Sequence, residues 1–202
     1  VTQIRIREEW VKNIQRICRD YNNAIKAKQT EEIFQAVKEI VDLVLNEKKQ
    51  EIQNQANQVL GLIAKRNIEL IQPTIDLFLQ MIDGKDSDKK DRAIRGLGEV
   101  TRQRPGWAYF GIEKLVKITQ TDPEDEFRMK AMLEISLIGE KDPVMLIEYV
   151  DDIVKALAKD PNKQVRRIAA MALGNMAEAI PLEAQHAIPA LTDALHDEYM
   201  LV

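Results

Sequence analysis

Few residues in this chain have the type and spacing that chemistry requires. His186 and His196 stand ten residues apart, which on one helix turns them about 80° from a common face. Neither has a histidine or carboxylate three or four residues ahead of it, the spacing of a helical metal site. Both are expected at a surface or interface, and no metal is expected. Cys18 is the only cysteine, so a disulfide framework and a cysteine-based zinc site are excluded, and a reducing, cytoplasmic setting is expected. Its position predicts a buried core thiol. Gly96-Leu97-Gly98 follows no strand and lacks the rest of a phosphate loop; helix packing is its expected use. No catalytic residue and no cofactor is assigned, and the chain is expected not to be an enzyme.

Binding chemistry is better represented. Arg102-Gln103-Arg104-Pro105-Gly106-Trp107-Ala108-Tyr109-Phe110 gathers one of two tryptophans, one of four tyrosines and one of four phenylalanines beside two arginines. On an exposed edge such a set stacks on nucleobases or anchors a peptide. The structural reading has Trp107 and Phe110 plugging the end of a packed unit while Pro105-Gly106 makes the turn. Arg102, Arg104, Trp107 and Tyr109 are nevertheless the leading contact candidates. Trp10 with Arg5 and Arg7 is a weaker one.

These residues are placed by a repeat. A small residue recurs as Ala56, Ala93, Ala131 and Ala169, at spacings of 37, 38 and 38. A second series holds the same period: Val37, Ile75, Ile112, Val150 and Ile188. Three positions on stand Ile40, Phe78, Leu115, Ile153 and Leu191, and seven on stand Val44, Ile82, Thr119, Leu157 and Leu195. That is an i, i+3, i+7 helical face in every copy, with Thr119 its one polar member. Each unit therefore reads as two antiparallel helices, paired as 4–21 with 30–46, 48–64 with 68–83, 88–102 with 108–120, 124–138 with 144–158, and 162–178 with 183–196. Asp122-Pro123 and Asp160-Pro161 are expected as an N-cap followed by a first-turn proline. Pro73 and Pro189 sit where second helices begin. Composition agrees: 45% apolar, 31% charged and only 5% aromatic, with 8 Gly and 7 Pro in 202 residues, suits long helices and not a sandwich or barrel. No apolar run reaches the length of a membrane span.

Asp160-Pro161-Asn162-Lys163-Gln164-Val165-Arg166-Arg167-Ile168-Ala169-Ala170-Met171-Ala172-Leu173-Gly174 resembles the signature of HEAT repeats. Asp122 to Ala131 is a second copy, and the pattern weakens toward the N-terminus, with Gly84 and Lys90 replacing the aspartate and arginine of the third. The resemblance implies an all-α fold, a right-handed α-α superhelix of about five helical hairpins. It also implies a ladder in which Asp122, Arg128, Asp160 and Arg166 link neighbouring repeats. One solenoid over 1–202 is expected, with repeats at 1–46, 47–84, 85–121, 122–159 and 160–196. Residues 197–202 would open a sixth repeat of a longer natural chain or form a short tail. Val1 in place of a starting methionine points to a fragment or processed chain.

Charge distribution carries the functional expectation. Residues 1–101 hold 17 basic and 16 acidic side chains, and residues 102–202 hold 12 and 17. In a HEAT stack the second helices line the concave surface, and here that face is mixed. It carries Lys114, Lys117 and Lys155 beside an acidic spot at Glu148, Asp151 and Asp152, which would receive a basic peptide. The leading expectation is a scaffold binding a protein or peptide segment on the concave face or repeat edge. The alternative is a nucleic-acid binder resembling the HEAT-like DNA glycosylases, against which the acidic second half and the lack of a basic stripe weigh. A regulatory subunit, or a lyase-type HEAT protein acting on a chromophore-bearing partner, is a third.

Overall fold

Every regular element in the computed structural model, which describes residues 2–103 and 108–198, is helical. The α-helices are α1 (Thr2–Ala27), α2 (Thr30–Asn46), α3 (Gln50–Arg66), α4 (Gln72–Ile82), α5 (Ser87–Gln103), α6 (Ala108–Thr121), α7 (Asp125–Lys141), α8 (Val150–Lys159), α9 (Lys163–Ala179) and α10 (Ile188–Ala194). The period seen in sequence is the period of the elements. α3, α5, α7 and α9 are each 17 residues long and start 37, 38 and 38 residues apart.

The second helices depart from expectation at their starts. Among the described residues, α4, α8 and α10 are entered through 3-10 turns, at Ile68–Leu70, Pro143–Tyr149 and Glu183–Ala187. Pro73 and Pro189 fall in the first turns of α4 and α10, where a missing N–H costs no helical hydrogen bond. α1 runs six residues past its expected end at Tyr21. It stops where Lys28 takes φ 55° and the Gln29 N–H donates to the Ala24 carbonyl at 2.9 Å, a Schellman closure.

The capping expectation also needs correction. Neither Asp122 nor Asp160 is an N-cap; those positions are Glu124 and Asn162, and the prolines lie outside the helices. Asn162 caps through its side chain, accepting from the Gln164 N–H at 2.7 Å. Each aspartate acts one step earlier. Asp122 Oδ1 accepts from the Glu124 N–H at 3.2 Å and Asp160 Oδ1 from the Asn162 N–H at 2.8 Å, folding the turn into the helix.

The chain divides into two compact units, 1–103 and 104–202. In the first, α1 packs on α2, α2 on α3, and α3 and α4 on α5. Its core includes Ile40, Val44, Leu60, Phe78, Ile94 and Leu97. Gly96 is part of that packing: a Cβ there would stand 2.5 Å from the Phe78 ring, so α4 and α5 approach more closely than any side chain would allow. Cys18 is half-buried, not the core thiol expected, and the burial it does have pushes its thiol pKa up.

In the second unit α6 packs on α7, α7 on α9 and α8 on α9, with the Glu183–Ala187 turn and α10 closing the end. Ala131 and Ala169, the small residues of the repeat, are fully buried among Ile112, Leu115, Met132, Ile135, Leu146, Val165 and Leu173. Thr119 is tolerated in the apolar face because its hydroxyl donates to the Val116 carbonyl at 2.8 Å, leaving no unmet donor.

Candidate functional site

Each second helix presents a surface whose exposure follows the repeat. One position after each anchor, Lys38, Asp76, Glu113, Asp151 and Pro189 are all exposed. The next residue, Glu39, Leu77, Lys114, Asp152 or Ala190, is half-buried in every copy, and the fifth, Asp42, Gln80, Lys117, Lys155 or Asp193, is exposed in every copy. On α2, α4, α6 and α8 the i, i+3, i+7 face turns inward, so its neighbours on the helix must meet solvent.

Within unit 104–202 this surface concentrates acid around an aromatic ring. Tyr149 is half-buried at the start of α8. Burial raises its phenol pKa, and Glu113, Glu148, Tyr109 and Asp152 each raise it further by disfavouring a phenolate among them. Glu113 and Tyr109 come from α6, Glu148 and Tyr149 from the 3-10 turn before α8, and Asp152 from α8 itself. Residues 40 apart in sequence thus share one electrostatic neighbourhood. Lys155 Nζ lies 2.8 Å from Asp152 Oδ1, a contact that holds the ammonium more firmly protonated. Asp151 beside it is exposed, and Lys114 is half-buried.

The same unit also exposes large apolar side chains. Tyr109 is 53% exposed and Phe110 66%, so Phe110 does not plug the repeat as expected. It lies in the first turn of α6, while the anchor Ile112, two residues on, takes the buried place. Val144 and Ile147 are exposed in the turn before α8, and Leu182 stands exposed 38 residues after Val144.

The expected sites are therefore placed as follows. Tyr109, Glu148 and Asp152 all bear on the Tyr149 phenol through their charge or dipole, and Lys155 is held by Asp152. Arg102 ends α5 in the other unit, half-buried, its guanidinium donating to Glu99. Arg104 and Trp107 lie outside the described residues, as do the side chains of Arg5, Arg7 and Trp10. Sequence reasoning missed Tyr149 and Glu113. Register gave a signal for Glu113, one position after the anchor Ile112, which is exposed in every copy; Tyr149 stands one position before its anchor, where Ala36, Thr74, Gly111 and Ala187 are buried, so register gave none for it.

A cleft of about 520 Å³ has Arg128 and Asp160 in its wall, with Thr119, Lys155 and Lys159. Arg128 bonds Asp160 through Nε at 2.8 Å and Nη2 at 3.2 Å, and its Nη1 donates to the Asp122 carbonyl at 2.9 Å. Arg166 repeats the pattern on Asp197 and the Asp160 carbonyl. Among the described residues no cluster of histidine, cysteine and carboxylates suits a metal ion, and no helix is long and apolar enough to cross a membrane.

A family model for HEAT repeats matches residues 112–201, which carry the Arg–Asp ladder and most of the surface just described. That region consists of HEAT repeats. The same helical phasing continues through the repeats upstream of the matched region. Among solved structures it is similar to a designed armadillo repeat protein in complex with the peptide (KR)4, with 20% identity, TM-score 0.53, 96% of this chain and 88% of that one covered. A second designed armadillo repeat protein gives 20% identity and TM-score 0.52 over 93% and 87%. Computationally designed armadillo repeat proteins for modular peptide recognition give 22% and 0.50 over 80% and 75%. At these identities the likeness is one of fold. No curated protein is significantly similar in sequence.

Proposed function

We propose that this HEAT-repeat chain is a non-catalytic interaction scaffold that holds a basic, extended partner segment on the second-helix surface of residues 104–202. The supporting observation is that Glu113, Glu148 and Asp152 all bear on the Tyr149 phenol, while Tyr109 and Phe110 are exposed at the start of α6. Carboxylates flanking aromatic rings attract lysine and arginine both by charge and by the negative face of the ring. The unit as a whole carries 17 acidic and 11 basic side chains, so its field favours the same partner. Designed proteins of similar fold are described as binding (KR)4 or as built for peptide recognition, which fits this reading without identifying a partner. The lone free Cys18 suits a reducing, intracellular setting for it.

Fluorescence anisotropy with a labelled alternating Lys-Arg octapeptide tests the proposal against an Asp-Glu octapeptide and a labelled DNA duplex. Saturable binding of the basic peptide that weakens with salt is expected, with none of the acidic one. Tight binding of the duplex at physiological salt, or indifference to peptide charge, would overturn it.

A further inference from the structure

α1 breaks the repeat in its charges. Ile14, Ile17, Tyr21 and Ala24 make its buried face, and it packs mainly on α2. Lys12, Arg19 and Lys26 are all exposed and stand at seven-residue intervals, a spacing the sequence continues upstream to Arg5. Seven residues bring a helix back to within about 20° of the same direction. The three cations therefore form one stripe opposite the buried face, with a charge about every 10.5 Å. Arg16 on its flank is held by Asp20 at 3.1 Å and by Glu39 at 2.9 Å. Among the described residues Lys12, Arg19 and Lys26 have no ion-pair partner.

The stripe departs from the register of the later first helices. Cys18 lies 38 residues before Ala56, so Arg19 corresponds to Asn57, Ile94 and Met132, and Lys26 to Ala64, Thr101 and Gly139. All six of those are buried. A cation in such a place would need a buried partner, and α1 instead turns both to water. Exposure here is set by the residue types of the stripe itself. Beside it on the same side of the helix stand Gln15, Asn22 and Asn23, exposed amides that can donate hydrogen bonds. The described residues of this face include no ring to stack on a nucleobase and no large apolar side chain to enter a bilayer.

We infer that the stripe of Lys12, Arg19 and Lys26 docks an acidic α-helix of a separate protein, one whose carboxylates recur every seventh residue. Two helices lying side by side with the same charge period set each cation opposite a carboxylate, as flanking charges do along a coiled coil. Their common rise per residue keeps the match over the whole stripe. The acidic series of this chain with that period, Glu69, Asp76 and Asp83, spans a 3-10 turn, α4 and the C-cap of α4. It holds no such line, so a second copy does not fit. The chain's net charge of −4 disfavours a polyphosphate, which brings far more negative charge than a few carboxylates. The stripe lies on a different unit from the acidic surface around Tyr149, has the opposite sign and does not depend on it.

The probe is a fluorescently labelled, alanine-based helical peptide with glutamate at every seventh residue, titrated with the full chain at low salt and followed by anisotropy. Its control is an isomer of the same composition with glutamate at every fifth residue, which winds the carboxylates round the helix. Saturable binding that weakens with salt is expected, at least about fivefold tighter than for the isomer. Arg19→Glu, at a position already in water, should weaken it at least about tenfold with the circular dichroism unchanged. Lys65→Glu makes the same charge change at an exposed place on α3 and should weaken it less than about twofold. No saturable binding, equal binding of the two isomers, or equal losses from the two variants overturns the inference. So does a DNA duplex that displaces the peptide at physiological salt, or self-association of the chain that Arg19→Glu abolishes, because a polyphosphate or a second copy would then be the occupant.

Discussion

Arg128 reaches across a repeat boundary to Asp160, with Nε and Nη2 on the two carboxylate oxygens at 2.8 and 3.2 Å. Both side chains are largely out of solvent. The remaining Nη1 takes the carbonyls of Asp122 and Pro123 at 2.9 and 3.3 Å, so one guanidinium fastens the entry of its own helix to the start of the next repeat. Asp160 in turn accepts from the Asn162 N–H at 2.8 Å. The rung is therefore both a link and a turn-former.

Removing the arginine strands a carboxylate that water reaches poorly. Arg128→Ala should lower stability by about 3–5 kcal/mol. Arg128→Lys should lose about 2 kcal/mol, because a single ammonium cannot span two carboxylate oxygens and a carbonyl at once. Urea unfolding followed by circular dichroism measures both. If the lysine variant matches the parent, the forked geometry contributes nothing.

Two glycines in first helices should respond oppositely to alanine. At Gly96 the added methyl meets the buried Phe78 ring at 2.5 Å, and forcing the helices apart should cost about 1–3 kcal/mol. At Gly174 nothing stands within 4 Å, so Gly174→Ala should gain about 0.5–1 kcal/mol through helix propensity. Thermal melts of the two variants give the comparison. Shifts of the same sign would mean that the α4–α5 approach is not as close as described.

The helices were readable because a period of 37 to 38 runs through both helical series, and Ala93, Ala131 and Ala169 are fully enclosed as that period requires. The ladder was readable because the run from Asp160 to Gly174 resembles the HEAT signature, which implies it. What escaped was anything decided by local backbone geometry. Asp122 and Asp160 were expected as caps, yet each spends its side chain on the turn two residues before the helix. Phe110 was expected inside, and the neighbouring register position Ile112 took that place. The grouping of Glu113, Tyr149 and Asp152 needs α6 and α8 side by side, which sequence spacing alone does not display.

Charge reversal at that grouping tests the proposed partner. Glu113→Lys and Glu148→Lys each replace an attracting carboxylate with a repelling ammonium, so the basic octapeptide should bind at least tenfold more weakly to either, and the double variant should lose it. Glu140→Lys changes the same charge at an exposed position on α7, outside the grouping, and should have little effect. Equal losses from all three would mean that only the net charge matters.

Tyr149 offers a direct reading of the same site. An unfolded tyrosine ionises near about 10, and here burial and the surrounding carboxylates lift the phenol above that value. Between the two values the unfolded chain has released its proton while the folded chain keeps it. The neutral phenol's stability is thus fully present below about pH 10 and is lost as pH rises through the folded value. Absorbance titration of the phenolate should therefore show late-ionising components from Tyr149 and from Tyr21, which burial also raises. Tyr149→Phe should remove one of them. Saturating basic octapeptide should bring the Tyr149 component down toward the ordinary value, because the cations offset the carboxylates that oppose ionisation. A Tyr149 component that ionises normally, or that ignores bound peptide, would separate the acidic grouping from the binding surface.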